Sequence, residues 1–235
     1  MLAIYKREMR SYFTGVIGYV FLVLFLAVGG GAFCLTTLFA MSAEVSNFFT
    51  YMLIFSAVAL PLLTMKSFSD ERRVKTEQLL LTSPVSLTGM VIGKFLAALT
   101  MFAGALFVNS LYFVILYRYA EVKTAHLIGN FVALLLVGMT FIAIGVFVSA
   151  LTENQLTAAV GTMAIILLFL IIGVVNSLLP SAFWLRYVLD CVSIFTRFQT
   201  FVNGYFDLSS LLYYLSITVV FVYLTIRVYD RRRYN

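Results

Sequence analysis

Runs of about 20 apolar residues, the length one helix needs to cross the hydrocarbon core of a bilayer, recur from one end of this chain to the other. No other feature of the sequence restricts its folding as tightly. Inside lipid every backbone N–H and C=O must be satisfied within the protein, so only helices and closed barrels can span. Barrel strands would appear as segments of about 10 residues with alternating polarity, and the long uninterrupted runs argue against them. Composition agrees: 63% of the 235 residues are hydrophobic and 11% charged, with a mean hydropathy of +1.03. A soluble domain carries about 25% charged residues, so lipid rather than water must solvate most of this surface. The expected fold is an all-α integral membrane protein.

Six spans are expected in one domain over residues 1–235, at about 16–41, 48–65, 91–117, 128–151, 156–179 and 211–228. The first run is too long for a signal-peptide core and lacks a small-residue cleavage site, so it is expected to stay in the mature protein. Only Thr152 to Gln155 separates the fourth and fifth spans, which predicts a tight antiparallel hairpin. Six spans put both termini on one side. Twelve bases fall near that side: Lys6, Arg7, Arg10, Lys66, Arg72, Arg73, Lys75, Lys94, Arg227, Arg231, Arg232 and Arg233. Four fall opposite: Arg118, Lys123, Arg186 and Arg197. The positive-inside rule then assigns the termini to the cytoplasm. The same clustering accounts for the net charge of +6 without a nucleic-acid partner.

Ahead of the first span, Leu2, Tyr5, Met9 and Phe13 recur at helical spacing with Lys6, Arg7 and Arg10 on the other side. That pattern fits an amphipathic helix in the headgroup layer; a polar leader is the plainer alternative. Gly29, Gly30 and Gly31 permit close helix packing or a kink in span one. Pro61 is expected to bend span two just before its polar end.

The longest polar interruption runs from Lys66 to Lys94 and holds three of the ten acids and five of the sixteen bases. Within it Glu77 to Leu81 reads as a short helix with a leucine face, stopped by Pro84. Leu79, Leu80 and Leu81 make an apolar plug for a groove on a partner, with Asp70, Glu71, Arg72, Arg73 and Glu77 fixing register at the rim. A merely solvated loop gains nothing by exposing consecutive leucines. Residues 180–207 are the second informative stretch. Phe183, Trp184, Tyr187, Val188, Cys191, Val192 and Phe195 recur at three- and four-residue steps, with Arg186, Asp190, Ser193 and Arg197 opposite. The stretch is too polar to span, and its aromatics suit an interface. One or two external helices dipping into the membrane boundary are expected, ending at Asn203-Gly204.

No catalytic constellation is present. His126 is the only histidine, so no His-pair metal site can form from this chain. Gly89, Gly93 and Lys94 resemble a phosphate loop, but three residues separate the glycines instead of four. Phe95 also stands where Ser or Thr would hold magnesium. The spans contain almost no ionisable residue, so a proton- or sodium-coupled carrier lacks its wiring. Asn109, Asn130 and Asn176 fit interhelical hydrogen bonding better than substrate ligation. Two cysteines, Cys34 and Cys191, are too few for a disulfide framework; they fall toward one side and can bridge, though buried thiols are the simpler reading. The chain is expected to bind no cofactor, to catalyse nothing, and to be moved by a partner.

Two stretches carry a family resemblance. The first is Asp70-Glu71-Arg72-Arg73, Thr76 to Ser86 (with Leu79, Leu80, Leu81 and Pro84), and Gly93-Lys94-Phe95. The second is Ser193 to Arg233, with Phe198, Phe201, Gly204 and the entry into the last span. Together they resemble a type-2 ABC transporter permease, similar especially to the gliding-motility-type and copper-maturation-type bacterial branch. Lys75 departs from the pattern, which commonly has glycine before the threonine. The resemblance implies an exporter-class subunit in the bacterial cytoplasmic membrane. Its connecting helix would be residues 2–13, and a coupling helix between spans two and three would involve Asp70, Glu71, Arg72, Arg73, Thr76, Glu77, Leu79, Leu80, Leu81 and Pro84. External re-entrant helices would involve Phe183, Trp184, Tyr187, Phe195, Phe198, Asn203 and Gly204. It implies two copies of a separate ABC ATPase that hold ATP and magnesium. A second permease subunit, homo- or heterodimeric, completes the pathway, with room for an extracytoplasmic accessory protein. By the same analogy spans one, two and five line the pathway; they are apolar here, which favours a lipid, glycolipid, peptide or other amphipathic substrate. The alternative is a non-transporting mechanical or regulatory subunit that passes ATPase strokes to external proteins.

Overall fold

The computed structural model describes residues 1–40, 45–76, 86–119, 124–178, 193–204 and 207–234. In chain order these form α1 (Leu2–Thr14) and α2 (Val16–Phe33), which continues through a π-helical turn (Cys34–Leu38). Then come α3 (Ser46–Thr64), α4 (Lys66–Arg73), α5 (Leu87–Tyr119), α6 (Thr124–Leu151), α7 (Gln155–Leu178), α8 (Ile194–Val202) and α9 (Leu208–Tyr234). Six candidate spans result: Val16–Leu38, Ser46–Arg73, Leu87–Leu116, Thr124–Leu151, Gln155–Asn176 and Leu208–Arg233. They lie over the six apolar runs, and no strand occurs among the described residues. Glu77, Leu79, Leu80, Leu81 and Pro84, like Phe183, Trp184, Tyr187 and Cys191, lie outside the described residues.

The centre of the bundle is α6, which packs against α3, α4, α5, α7, α8 and α9. Buried residues make up 78% of its span window, against 33% for α2, 33% for α7 and 17% for α9. Close approach explains how one helix holds so many neighbours. Gly138 receives the Phe102 ring of α5, and Gly145 receives Thr64 of α3; a Cβ at either position would overlap its guest. Without a hydrophobic force between helices in lipid, such small-residue contacts supply the dispersion that holds spans together. Aromatic rings join the other helices: Phe25 to Phe102 (5.6 Å), Phe48 to Phe113 (5.0 Å) and Phe49 to Phe131 (5.0 Å).

Several expectations change here. Gly29 lies against Asn109 and Gly30 against the Tyr112 ring, while Gly31 faces open space. The first two glycines therefore serve packing, and α2 runs through them without a break. Asn109 donates to the Ala105 carbonyl of its own helix (3.2 Å), not across to a neighbour. Asn130 is fully buried, with neither side-chain polar atom partnered among the described residues. Cys34 carries a free thiol. Lys66–Arg73 is not loop: it is α4, and with α3 it forms one 28-residue candidate span. Pro61 lies inside α3, which ends at Thr64, next to the break at Met65.

Both termini sit at one end of the bundle. There α1 runs beside the start of α5, with Ile4 against Gly93 and Tyr5 Oη donating to Thr100 Oγ1 (3.3 Å). Arg232, near the end of α9, donates to the Ala150 carbonyl of α6 (2.8 Å). On the apolar face expected for α1, Tyr5 and Met9 are half-buried and Leu2 and Phe13 exposed, while Ile4, off that face, is buried.

At the opposite end α8 packs on α6 and α7. Ser193 is its N-cap, accepting from the Thr196 backbone N–H (3.0 Å). That role buries Ser193 instead of leaving it on the polar face. The helix stops at Asn203, where Gly204 takes φ +83° and lies so close to the His126 ring that a Cβ would overlap it. Asp207 then caps α9, accepting from the Ser209 and Ser210 amides (3.0 and 3.3 Å) and the Ser210 hydroxyl (2.9 Å). The Ser210 hydroxyl first, and these amides with it, hold the Asp207 carboxyl below its ordinary range.

Candidate functional site

The chemistry-bearing side chains collect around α4. A helix start leaves its first N–H groups without intrahelical acceptors, and Met65, at the N-cap position of α4, makes no side-chain capping bond. Ser149 of α6 fills that role from outside. Its Oγ accepts from the Phe68 and Ser69 amides (3.0 and 3.1 Å) and donates to the Met65 carbonyl (3.1 Å). The interruption between α3 and α4 therefore lies in the hydrogen-bond ladder; Met65 keeps helical angles, φ −55° and ψ −34°. A side chain inserted into the ladder is a recognised cause of such breaks.

The other end of α4 closes in a Schellman motif. Thr76 N donates to the Glu71 carbonyl (3.0 Å) and Lys75 N to the Arg72 carbonyl (3.1 Å). The residue between cap and exit must be left-handed in this motif, and Lys75 has φ +59°. It is the one position with positive φ among the described non-glycine residues. Here lies the physical meaning of the glycine expected at this place.

Between its two ends α4 is tied to its neighbours by charge. Lys94 of α5 is 2% exposed, and its ammonium has three acceptors: Glu71 Oε1 (2.9 Å), Glu8 Oε1 of α1 (3.1 Å) and the Ser67 carbonyl. An ammonium has three N–H donors, so none is left over. The same ammonium stands 4.8 Å above the Phe68 ring, a cation–π contact that further offsets its desolvation. From the exposed side Arg7 grips the same two carboxylates, Glu8 at 2.8 Å and Glu71 at 2.6 Å. Burial alone would lower the Arg7 pKa, but the hydrogen bond to Glu8 and the charges of Glu71 and Glu8 outweigh it and raise it. Two cations and two carboxylates thus clasp α1, α4 and α5 together.

Further contacts bind α4 to the rest of this end. Arg72 pairs with Glu153 (2.9 Å) and donates to the Leu151 carbonyl (2.9 Å), both in the α6–α7 turn. Gln155 donates to Asp70 (2.6 Å). Phe68 packs on Tyr229 of α9, with ring centroids 4.7 Å apart. Beside the clasp a cleft of about 350 Å³ opens between α1, the start of α2 and α4. Tyr12 lies on its wall, where burial first, then the Glu8 charge, raises its phenol above the ordinary range.

Of the rim residues read from the sequence, Asp70, Glu71 and Arg72 are engaged inside the bundle. These ties lie within the chain, and they fix the three side chains against α1, α5 and the α6–α7 turn. Arg73 pairs only loosely with Asp70 (3.5 Å), and its side chain is 65% exposed. Thr76 closes the helix end. Glu8 and the hub role of Lys94 are not among the features read from the sequence. Lys94 gave a signal only as the last base of the polar stretch, where the third span begins. Glu8 gave none beyond lying one residue from Arg7. At the other end Phe198 is buried, Phe195 half-buried, and Asn203 and Gly204 end α8.

Six apolar helices, with α6 as their buried centre and a charged cluster at the end that holds both termini, define a multi-pass membrane protein. A protein-family comparison places it further: the chain belongs to the ABC-2 family transporter proteins, whose family model matches residues 2–233. It is thereby a permease subunit, a membrane transport component partnered by an ABC ATPase subunit. A search of curated proteins returns no match.

Proposed function

We propose that the protein is an exporter-class permease in the bacterial cytoplasmic membrane, with α4 and the segment after it forming the handle for a separate ATPase. The observation that carries this reading is the clasp. A helix tied at once to α1, α5, α9 and the α6–α7 turn can pass a displacement of its C-terminal end to the bundle as a unit. Leu79, Leu80 and Leu81 supply the plug that docks on the ATPase, and Glu77 and Arg73 supply the rim. Closure of a dimer of ATPase subunits then shifts the balance between inward- and outward-facing states. Two permease copies, alike or related, flank the pathway, with both termini cytoplasmic and α1 as connecting helix. ATP and magnesium stay on the ATPase. The cargo is an amphipathic molecule such as a lipid, glycolipid or peptide.

Leu80→Asp and Glu77→Lys test the handle. Both are expected to reduce co-purification of the ATPase and to abolish stimulation of its turnover by the permease in proteoliposomes. Wild-type co-purification with unchanged stimulation would exclude the docking role. A mechanical reading draws on α8, a short helix capped at its start and fixed to α9 by Tyr214 Oη donating to the Ile194 carbonyl (2.9 Å). It predicts stimulated ATP hydrolysis with no movement of any tested solute or lipid.

A further inference from the structure

The polar cleft beside the clasp continues into an apolar groove. The cleft is lined by α1, the first turn of α2 and α4. The groove, of about 250 Å³, runs between α2 and α3 and is lined by Val20, Leu24, Phe55, Val58 and Leu62 among others. Ile17 borders both, and Met65 at the end of the groove is followed by Lys66 in the cleft. A polar chamber opening at the membrane boundary into an apolar trough has the layout of an amphiphile: head in one, tail in the other.

The pairing of charges around the cleft selects the head. Lys94 and Arg7 pair with Glu8 and Glu71, while Asp70 accepts from the neutral Gln155 amide and pairs at 3.5 Å with Arg73 just outside the cleft. The cation left over on the cleft wall is Lys66, exposed and with no ion pair among the described residues. Two hydroxyls accompany it. Ser67 is 5% exposed, and its Oγ has no hydrogen-bond partner among the described residues; Ser11 lies opposite on α1. A free ammonium with spare hydroxyl donors beside it is a site for a phosphate oxyanion. In the groove Val58 and Leu24 are 43% and 45% exposed, so the trough opens on the outer face of this chain.

We infer that cleft and groove form one binding site for a phosphate-headed membrane amphiphile. Its phosphate rests on Lys66, Ser67 and Ser11, and its chain lies along the α2–α3 groove. This site depends on membrane embedding alone, not on docking of the ATPase. The probe pair is dioleoyl phosphatidic acid and dioleoylglycerol, which share their tails and differ by the phosphate. Binding to the detergent-solubilised full chain is read by native mass spectrometry. Phosphatidic acid is expected to be retained about tenfold better than dioleoylglycerol, the scale of one charge-assisted contact. Lys66→Gln should erase that preference, and Val58→Trp, which fills the groove from an exposed position, should reduce retention of both lipids. Inorganic phosphate at millimolar concentration should not displace the lipid; displacement would mean a free-anion site and overturn the proposal. Equal retention of the two lipids would overturn it, as would retention indifferent to both variants. A Val58→Cys chain that cross-links to a second copy through this groove would show another subunit, not a lipid, as its occupant.

Discussion

Lys94 shows how far one residue's surroundings decide its meaning. In sequence it is one of five bases in a polar stretch, and the positive-inside count treats it as a surface charge. In the structure it is buried with two carboxylates, a carbonyl and an aromatic ring for company. Removing one member of a buried ionic group leaves the others uncompensated, at a cost of about 3–5 kcal/mol. Lys94→Ala is therefore expected to lower stability by roughly 3 kcal/mol, toward the smaller end because Glu8 and Glu71 remain 15% and 17% exposed. The triple variant Lys94→Met, Glu8→Gln, Glu71→Gln should recover most of this loss, since it neutralises the buried members of the group together and leaves only Arg7, whose side chain is 49% exposed to water. Thermal unfolding in detergent compares the two. If the triple variant matches the wild type in stability but no longer passes permease stimulation to the ATPase, the clasp transmits force as well as holding α4. The lysine itself was legible only as the last base of the polar stretch, where the third span begins. Its partners were not, because Glu8 and Glu71 come from elements 86 and 23 residues away in sequence and only the packing of α1 on α5 brings them together.

At the scale of the element, α4 lacks the sequence signals that usually mark a helix. It has neither a capping side chain at its start nor a glycine at its end. The sequence presents it instead as the start of the longest polar interruption. The missing cap is supplied by Ser149, which lies 80 residues further along the chain. Ser149→Ala should destabilise the protein by about 2 kcal/mol, because it removes a helix cap and leaves two buried amides unpaired. Amide exchange should rise first at Phe68 and Ser69. The missing glycine remains as strain at Lys75. A left-handed non-glycine residue costs about 1–2 kcal/mol, while glycine gives up about 0.5–1 kcal/mol through its freer unfolded chain. Lys75→Gly should therefore stabilise the fold by about 0.5–1 kcal/mol, read as a higher melting temperature. A lower one would mean that the Lys75 side chain contributes more than its backbone costs.

For the whole molecule, the six spans could be read from the sequence because hydrophobic length alone specifies a membrane helix. Their arrangement could not. Apolarity is spread around each helix, so periodicity gives no direction, and the glycines that set contacts resemble glycines that do not. Gly138 holds the Phe102 ring while Gly104 and Gly129 face open space. The orientation is open to a direct check. With Cys34 and Cys191 replaced by serine, a membrane-impermeant maleimide added outside intact cells should label Asn203→Cys but not Arg73→Cys. Labelling of residue 73 from outside would invert the topology and remove α4 from reach of any cytosolic ATPase.

The burial of α6 inside a single copy makes it a reference standard for how the protein assembles. A photoreactive probe dissolved in the acyl phase should mark α6 sparsely whatever the number of copies. Dimming of α2, α7 or α9 relative to that baseline would map the faces a neighbouring subunit shields, and uniform brightness would describe a protomer bathed in lipid on every side.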